Sequence, residues 1–290
     1  MLNAPQNKSM RRLVITVMIC GFLFIGLLVA NSPKQKLYDG KTVRQWVAEL
    51  NPQSGMDEQR EAASSALVRI GDDALPEIER ILAWRSRAWI EKAKGLAMRC
   101  RLMKPPLFRP QELQSRACEA ARRLAEFKNS DINRLVPHLE YHFTNGTYAD
   151  WSSGEALARA GTAGINVLTN QLFTGKMNVR DMAGSSLRQV RTNTVAVAAL
   201  IQSAKTETNA QLRANTLLYL TQSAGAPEQL VPLGLGFLQS GDGYERWAAA
   251  RLLEPFATLP EVRAAFELAL EDSDARVQRV ARAALNPSRR

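Results

Sequence analysis

Two histidines and three cysteines are all that 290 residues contain of the side chains most used in metal and acid–base chemistry. Two imidazoles leave little scope for proton transfer near neutral pH. Three scattered thiols without a CxxC pair form neither a disulfide framework nor a zinc knuckle. Aromatics are only 7% of the chain, with 17 Gly and 13 Pro, which excludes collagen-like and low-complexity classes. No GxGxxG, GxxxxGKS/T, GxSxG or HExxH motif occurs, so nucleotide, acyl-transfer and zinc-protease templates lack their defining residues. What is present is a 46% hydrophobic chain, long enough to bury a core in one large domain or two small ones.

Charge is unevenly placed. The chain carries 38 basic and 28 acidic groups, a formal +10. Residues 1–36 hold Lys8, Arg11, Arg12, Lys34 and Lys36 and no acid, giving +5. Residues 84–109 hold eight basic groups against Glu91, giving +7. The remainder, 10 less 5 and 7, is −2. A nucleic-acid binder carries a basic stripe over its folded domain. Here two short segments supply the excess, so nucleic acid is not the expected partner.

Leu13 to Ala30 form an apolar run of 18 residues without a charge. As a helix the run spans roughly 27 Å, close to the hydrocarbon thickness of a bilayer. Residues 1–12, with Lys8, Arg11 and Arg12, are expected to stay cytoplasmic, with the remainder exported. The rival is a cleaved signal peptide, but Leu28-Val29-Ala30 puts a large residue where the cleavage site wants a small one. The reading is a single-pass anchor at 13–30, a linker at 31–41 and an extracytoplasmic domain at 42–290.

From Thr42 onward apolar residues recur at helical spacing. Ala62, Ala63, Ala66, Leu67 and Ile70 mark one helix face, Gly71 ends it, and Ala74-Leu75-Pro76 opens a second helix with Pro in the first turn. Arg180, Ala183, Leu187 and Val190 repeat the spacing of Arg60, Ala63, Leu67 and Ile70. Ala156-Leu157, Ala160-Gly161 and Ile165 match Ala66-Leu67, Ile70-Gly71 and Leu75. The sequence closes on Val277, Val280, Ala281, Ala284 and Leu285. From Arg180 to Arg213 to Arg246 is 33 residues each time. A fixed period of helix pairs is the mark of a solenoid, in which each repeat buries its neighbour's apolar face.

On the stretches 57–71 (DEQREAASSALVRIG), 178–190 (NVRDMAGSSLRQV) and 274–285 (DARVQRVARAAL), residues 55–290 resemble the HEAT-repeat family, in its short bacterial, phycobilin-lyase-like form. Residues 38–50 (YDGKTVRQWVAEL) look like the entry helix of membrane-anchored bacterial members, with Val43, Trp46, Val47 and Leu50 as the buried side. The resemblance implies an all-α, right-handed stack of about six helix pairs that binds macromolecules along one face. In that family an Asp and an Arg early in the first helix pair between repeats, an arrangement that Asp57 with Arg60 and Asp242 with Arg246 resemble. Asp150 and Gln278 depart from it at the Arg place. No catalytic residue carries over.

Candidate chemistry is sparse. His138 and His142, with Glu140 between them, stand one helical turn apart and supply two ligands, which do not complete a metal site; solvated or capping imidazoles are the alternative. Cys100 and Cys118 read either as buried small hydrophobes or as an oxidisable pair. The repeated arginines read as inter-repeat structure rather than a ligand ladder. Trp46, Trp84, Trp89, Trp151 and Trp247 recur at no common repeat position, and core filling is expected of them.

The insert at 84–109 is the one segment with a binding pattern. Leu82, Trp89, Leu96 and Met103 recur every seven residues as an apolar row, with Ser86, Ala93 and Cys100 beside it. Arg85, Lys92 and Arg99 run along one flank, and Arg87, Lys94 and Arg101 along another. This pattern predicts an extended second helix with an apolar seam between two cationic stripes. The stripes either stay solvated or dock an acidic partner or the anionic membrane surface. The overall expectation is a membrane-tethered scaffold for an unidentified protein partner at the envelope, with no cofactor, metal or catalysis. The alternatives are a HEAT-fold enzyme of the bilin-lyase kind or, were the domain cytoplasmic, a nucleic-acid binder.

Overall fold

The computed structural model describes residues 36–50, 57–84, 110–145, 151–223 and 227–286. The apolar run 13–30 and the insert residues Arg85, Arg87, Lys92, Lys94, Arg99 and Arg101 lie outside the described residues, as does Cys100. Among the described residues no helix is long and apolar enough to cross a membrane.

The chain divides into two compact units, 1–42 and 43–290. In the first, Tyr38 and Lys41 exchange backbone hydrogen bonds of 2.8 and 3.1 Å across Asp39 and Gly40, both at positive φ. An Asp-Gly pair is suited to this two-residue turn, so the end of the expected linker is a tight hairpin.

The described residues of the second unit are helical. In chain order they form α1 (Val43–Glu49), α2 (Asp57–Ile70), α3 (Leu75–Ala83), α4 (Pro110–Lys128), α5 (Val136–Asn145), α6 (Trp151–Arg159) and α7 (Gly161–Thr174). They continue as α8 (Met177–Leu187), α9 (Thr194–Thr206), α10 (Ala210–Leu220), α11 (Pro227–Ser240), α12 (Gly243–Leu253), α13 (Pro260–Ala269) and α14 (Ala275–Leu285). The even-numbered helices lie side by side as one layer, α2 to α14, and α3 to α13 form the other. This packing of sequence neighbours is compatible with an α-solenoid. Helix α1 packs on α2, α3 and α4, and it buries Val43, Trp46 and Val47.

The tightest units differ from the helix pairs read off the sequence. A second-layer helix packs most extensively on the first-layer helix that follows it, as α9 does on α10 and α11 on α12. Between α2 and α3 the chain instead turns through a 3-10 segment, Gly71–Ala74. Gly71 and Gly161 adopt φ of 63° and 65°, where a Cβ is strained, so each turn is fixed by its glycine. Ala62 departs from the expected buried face and is exposed, while Ala63, Ala66 and Leu67 are buried.

Composition explains the layers. First-layer helices touch neighbours on three sides and bury small residues in unbroken runs: Ala156 to Ala158 in α6, Met182 to Leu187 in α8, Ala248 to Ala250 in α12. Small side chains let helix axes approach. Second-layer helices bury larger aliphatics, such as Ile78, Ile81 and Leu82 in α3 and Ile165, Leu168 and Leu172 in α7. At Gly184 an added Cβ would stand 3.0 Å from the Tyr219 ring, so α8 and α10 approach through an aromatic lying on bare backbone.

Two expectations about the insert and the tryptophans are corrected. Helix α3 does not run on toward Met103; it ends at Ala83, with Trp84 extended at ψ 116°. Its terminal carbonyls already have donors: the Gln114 amide reaches Ile81 and Trp84, and His142 Nε2 lies 3.0 Å from the Leu82 oxygen. Such partners satisfy the open end of a helix. Trp84 and Trp151 are 39% and 52% exposed, so these two do not fill the core, unlike Trp46.

Candidate docking face

Two sets of side chains join the first-layer helices. The first holds the loops that enter them. Arg180 donates to Glu207 at 2.9 Å and to the Gly175 carbonyl at 3.2 Å. Arg213 donates to Glu245 at 2.6 Å and to the carbonyls of Glu207 and Thr208 at 2.8 Å. Arg246 donates to Asp272 at 2.8 Å and to the Gly241 carbonyl at 2.8 Å. Each guanidinium thus fixes its own entry loop and the next one. The receiving carboxylates also take backbone N–H groups, Glu207 from Asn209 and Asp272 from Asp274. The Asp272 carboxyl is held below its usual range, first by the Arg246 hydrogen bonds.

The repeated arginines are therefore structural and pair between repeats, with Asp272 of the next repeat as the acceptor for Arg246. Asp242 is the N-cap of α12, in a capping box with Glu245. Arg246 reaches past it into the next repeat. In the last repeat Gln278 keeps the back-bond, donating to the Asp272 carbonyl at 2.6 Å. Arg60 is the weak member, 3.8 Å from Glu119, with its Nε buried and without a hydrogen bond.

The second set lines the outward face of the layer. Between α4 and α6 it is ionic. Glu119 takes hydrogen bonds from Arg122 at 2.7 and 2.8 Å and from Arg123 at 2.8 Å. Arg122 also pairs with Glu126 and lies 3.3 Å from Glu155, and Arg159 lies 3.5 Å from Glu126. Burial alone would raise the Glu119 carboxyl; the bonds and charge of Arg122 and Arg123 outweigh it and hold it at about 2.

From α8 to α14 the face is aromatic and hydrogen-bonded. Asp181 accepts from Asn215 Nδ2 at 2.9 Å and from the Tyr219 hydroxyl at 2.8 Å. Asn215 Oδ1 accepts from Gln211 at 3.1 Å and Tyr244 at 3.3 Å. Tyr244 packs on Trp247 with ring centroids 5.3 Å apart. The Arg276 guanidinium covers both rings, at 5.4 and 5.7 Å, with Asp274 holding it at 2.6 Å. The Tyr219 phenol is raised above its usual range, first by burial and then by its bond to Asp181. One hydrogen-bonded and stacked row thus crosses α8, α10, α12 and α14. Its groups are fixed before any ligand arrives, which lowers the ordering cost of binding.

Sequence reasoning did not find this row. Its links are spaced 34 residues (Asp181 to Asn215) and 29 (Asn215 to Tyr244), so no single period marks it. The ionic part did leave a signal. Arg122, Glu155 and Arg188 stand 33 residues apart and alternate in sign.

The histidines do not converge on a ligand site. His138 Nε2 lies 3.9 Å from Glu79, which also pairs with Arg134, and His142 serves the α3 carbonyl end. Among the described residues no cluster of three His, Cys, Asp or Glu gathers that could hold a metal ion. Cys118 is fully buried in α4. The described residues form open surface hollows. One, of about 770 Å³, sits between α12 and α14. Another, of about 540 Å³, lies where the ends of α5 and α7 meet α8. No protein-family model matches the chain, and no curated protein matches it.

Proposed function

We propose that the chain is a membrane-tethered HEAT-type scaffold, anchored through residues 13–30, whose stack of about six helix pairs docks a protein partner at the cell envelope. The observation that carries this reading is the outward face of the first layer, where side chains are joined in two sets, ionic from Glu119 to Arg159 and hydrogen-bonded or stacked from Asp181 to Arg276. Two features support the HEAT form of the stack. Glu119 with Ser152 is a contact across 33 residues, the period of the repeated arginines. The N-caps Asn209, Asp242 and Asp274 return at nearly that interval. A face whose polar groups already have partners binds by shape and by the few donors left over, as docking surfaces do.

Two experiments test the proposal. An alkaline phosphatase fusion at Arg290 should be active, and a fluorescent protein that matures only in the cytoplasm should be dark there; the reverse pattern rejects export. In intact cells a photo-crosslinker at Gln211, on the aromatic half of the face, should give one discrete adduct. The same crosslinker at Gln202, exposed on α9, should give none. Equal yields at both positions would reject docking through the first layer.

A further inference from the structure

We infer that the hollow between α12 and α14 is the docking point for an acidic segment of the partner, an inference that rests on the scaffold reading above. The hollow holds about 770 Å³ and is open to solvent; Arg251, Glu254, Pro255, Arg279, Val280 and Ala283 line it. Two guanidinium groups therefore border one cleft, over an apolar floor of Pro255, Val280 and Ala283.

The cations differ in how far they are already used. Arg276, beside the cleft, is spent: Asp274 neutralises it and two rings stack beneath it. Arg251 is half exposed and bonded through Nη1 to Glu254 at 2.7 Å. Arg279 makes one long bond, 3.5 Å, to the Ala275 carbonyl. Arg282, one turn further along α14, gives one donor to Gln278 at 2.9 Å. Arg251, Arg276, Arg279 and Arg282 against Glu254 and Asp274 leave a local excess of two positive charges. That excess resides on Arg279, in the lining, and on Arg282, outside the lining but next to Ala283 on α14; both retain most of their donors.

Charge complementarity selects the occupant. A guanidinium fork matches a carboxylate with two parallel N–H bonds, and Glu254 on Arg251 already shows a carboxylate held at this cleft. An anionic bilayer requires several cations acting together, and two are too few. A nucleic-acid backbone requires a basic stripe along the domain, whereas the carboxylates of Glu254 and Asp274 interrupt this patch. A peptide bearing two or more Glu or Asp residues, with an aliphatic side chain to cover Val280 and Ala283, satisfies what remains. The last two helices of the row from Asp181 to Arg276, α12 and α14, are the two that form this cleft, so the acidic segment would be the end of a longer footprint.

The test uses the full chain in nanodiscs of neutral lipid and a fluorescein-labelled peptide, Gly-Glu-Glu-Leu-Glu-Glu-Gly, as probe. The wild type should bind it with an affinity that falls steeply with added salt. Arg279→Gln with Arg282→Gln should weaken binding at least tenfold, while Lys34→Gln with Lys36→Gln should not. A photo-crosslinker at Ala283 should form an adduct with the probe. Equal binding by wild type and the arginine variant, or no binding by either, overturns the inference. So does binding of phosphatidylglycerol vesicles that the same variant abolishes, which would make the cleft a lipid site. The in-cell crosslink at Gln211 is a separate readout. If it succeeds while the peptide fails, the scaffold stands and the acidic partner falls.

Discussion

Arg213 Nε lies 2.6 Å from Glu245 Oε1, joining α10 to the first turn of α12. Glu245 is 3% exposed, so that guanidinium stands where solvent cannot reach to solvate the carboxylate. Its second oxygen, at 3.0 Å, takes the Asp242 N–H of the α12 capping box. One carboxylate thus serves an inter-repeat bond and a helix cap together.

Removing either partner therefore has unequal effects. Arg213→Met strands a buried carboxylate and should cost about 3–5 kcal/mol. Glu245→Gln keeps the capping acceptor, leaves a neutral amide beside Arg213, and should cost about 1–2 kcal/mol. In urea melts the double variant should lose less than the sum of the two. Additive losses would mean that the two side chains do not interact.

Acid should weaken the ionic half of the face. The Glu119 carboxyl stands at about 2 in the folded chain against an ordinary 4.5. A depressed carboxyl contributes stability that is complete above its unfolded value and is lost as pH falls toward the folded one. The loss should lie between about pH 4.5 and 2 and amount to roughly 2–3 kcal/mol, shared among its arginine partners. Glu119→Gln should be less stable than wild type at pH 7 and equal to it near pH 2. A constant difference across that range would contradict the assignment.

How much of this was legible in the sequence depends on whether a feature repeats. The helices, Gly71 and Gly161 at the turns and the arginines of the last repeats follow a regular spacing, and each is where that spacing puts it. Arg246 is marked by its spacing, but its acceptor in the next repeat, Asp272, is not, because Asp272 lies off the interval of Asp242 and Asp274, whose role as caps shows only in three dimensions. The Asp181–Asn215–Tyr244 row was invisible because its members sit at different heights on their helices, so contact follows helix offset rather than period. The end of α3 was misread for a similar reason. The heptad rhythm of Leu82, Trp89, Leu96 and Met103 is local, whereas Gln114 and His142, which close the helix, come from α4 and α5.

Gly184 offers a test of that close approach. Alanine is favoured over glycine in a helix by about 1 kcal/mol. Its Cβ, however, would meet two Tyr219 ring carbons at 3.0 Å, and the ring is held by Asp181 and by Arg188 at 5.6 Å. The ring has no room to yield, so overpacking of about 1–3 kcal/mol should prevail. Gly184→Ala should therefore lower the melting temperature in the wild-type background. In a Tyr219→Ala background it should raise it. The same sign in both backgrounds would mean that the ring does not set the preference for glycine.

The basic insert and the α12–α14 cleft are two cationic regions of different size, and that difference gives the final prediction. Arg85, Arg87, Lys92, Lys94, Arg99 and Arg101 are six charges within 17 residues with Glu91 as their single acid. Near an anionic surface each contributes about 1 kcal/mol, so six together are enough to hold a domain on an anionic bilayer. The cleft offers Arg279 in its lining, Arg282 next to it on α14 and an apolar floor, a match for one short acidic segment. Changing the six insert residues to Gln should abolish salt-sensitive binding of the 37–290 fragment to phosphatidylglycerol vesicles and leave its helical circular dichroism intact. Arg279→Gln with Arg282→Gln should leave vesicle binding within about twofold, because the insert carries it. If the six-glutamine variant binds the vesicles as tightly as wild type, or if wild type does not bind them, the insert does not dock the membrane and its charges are solvated.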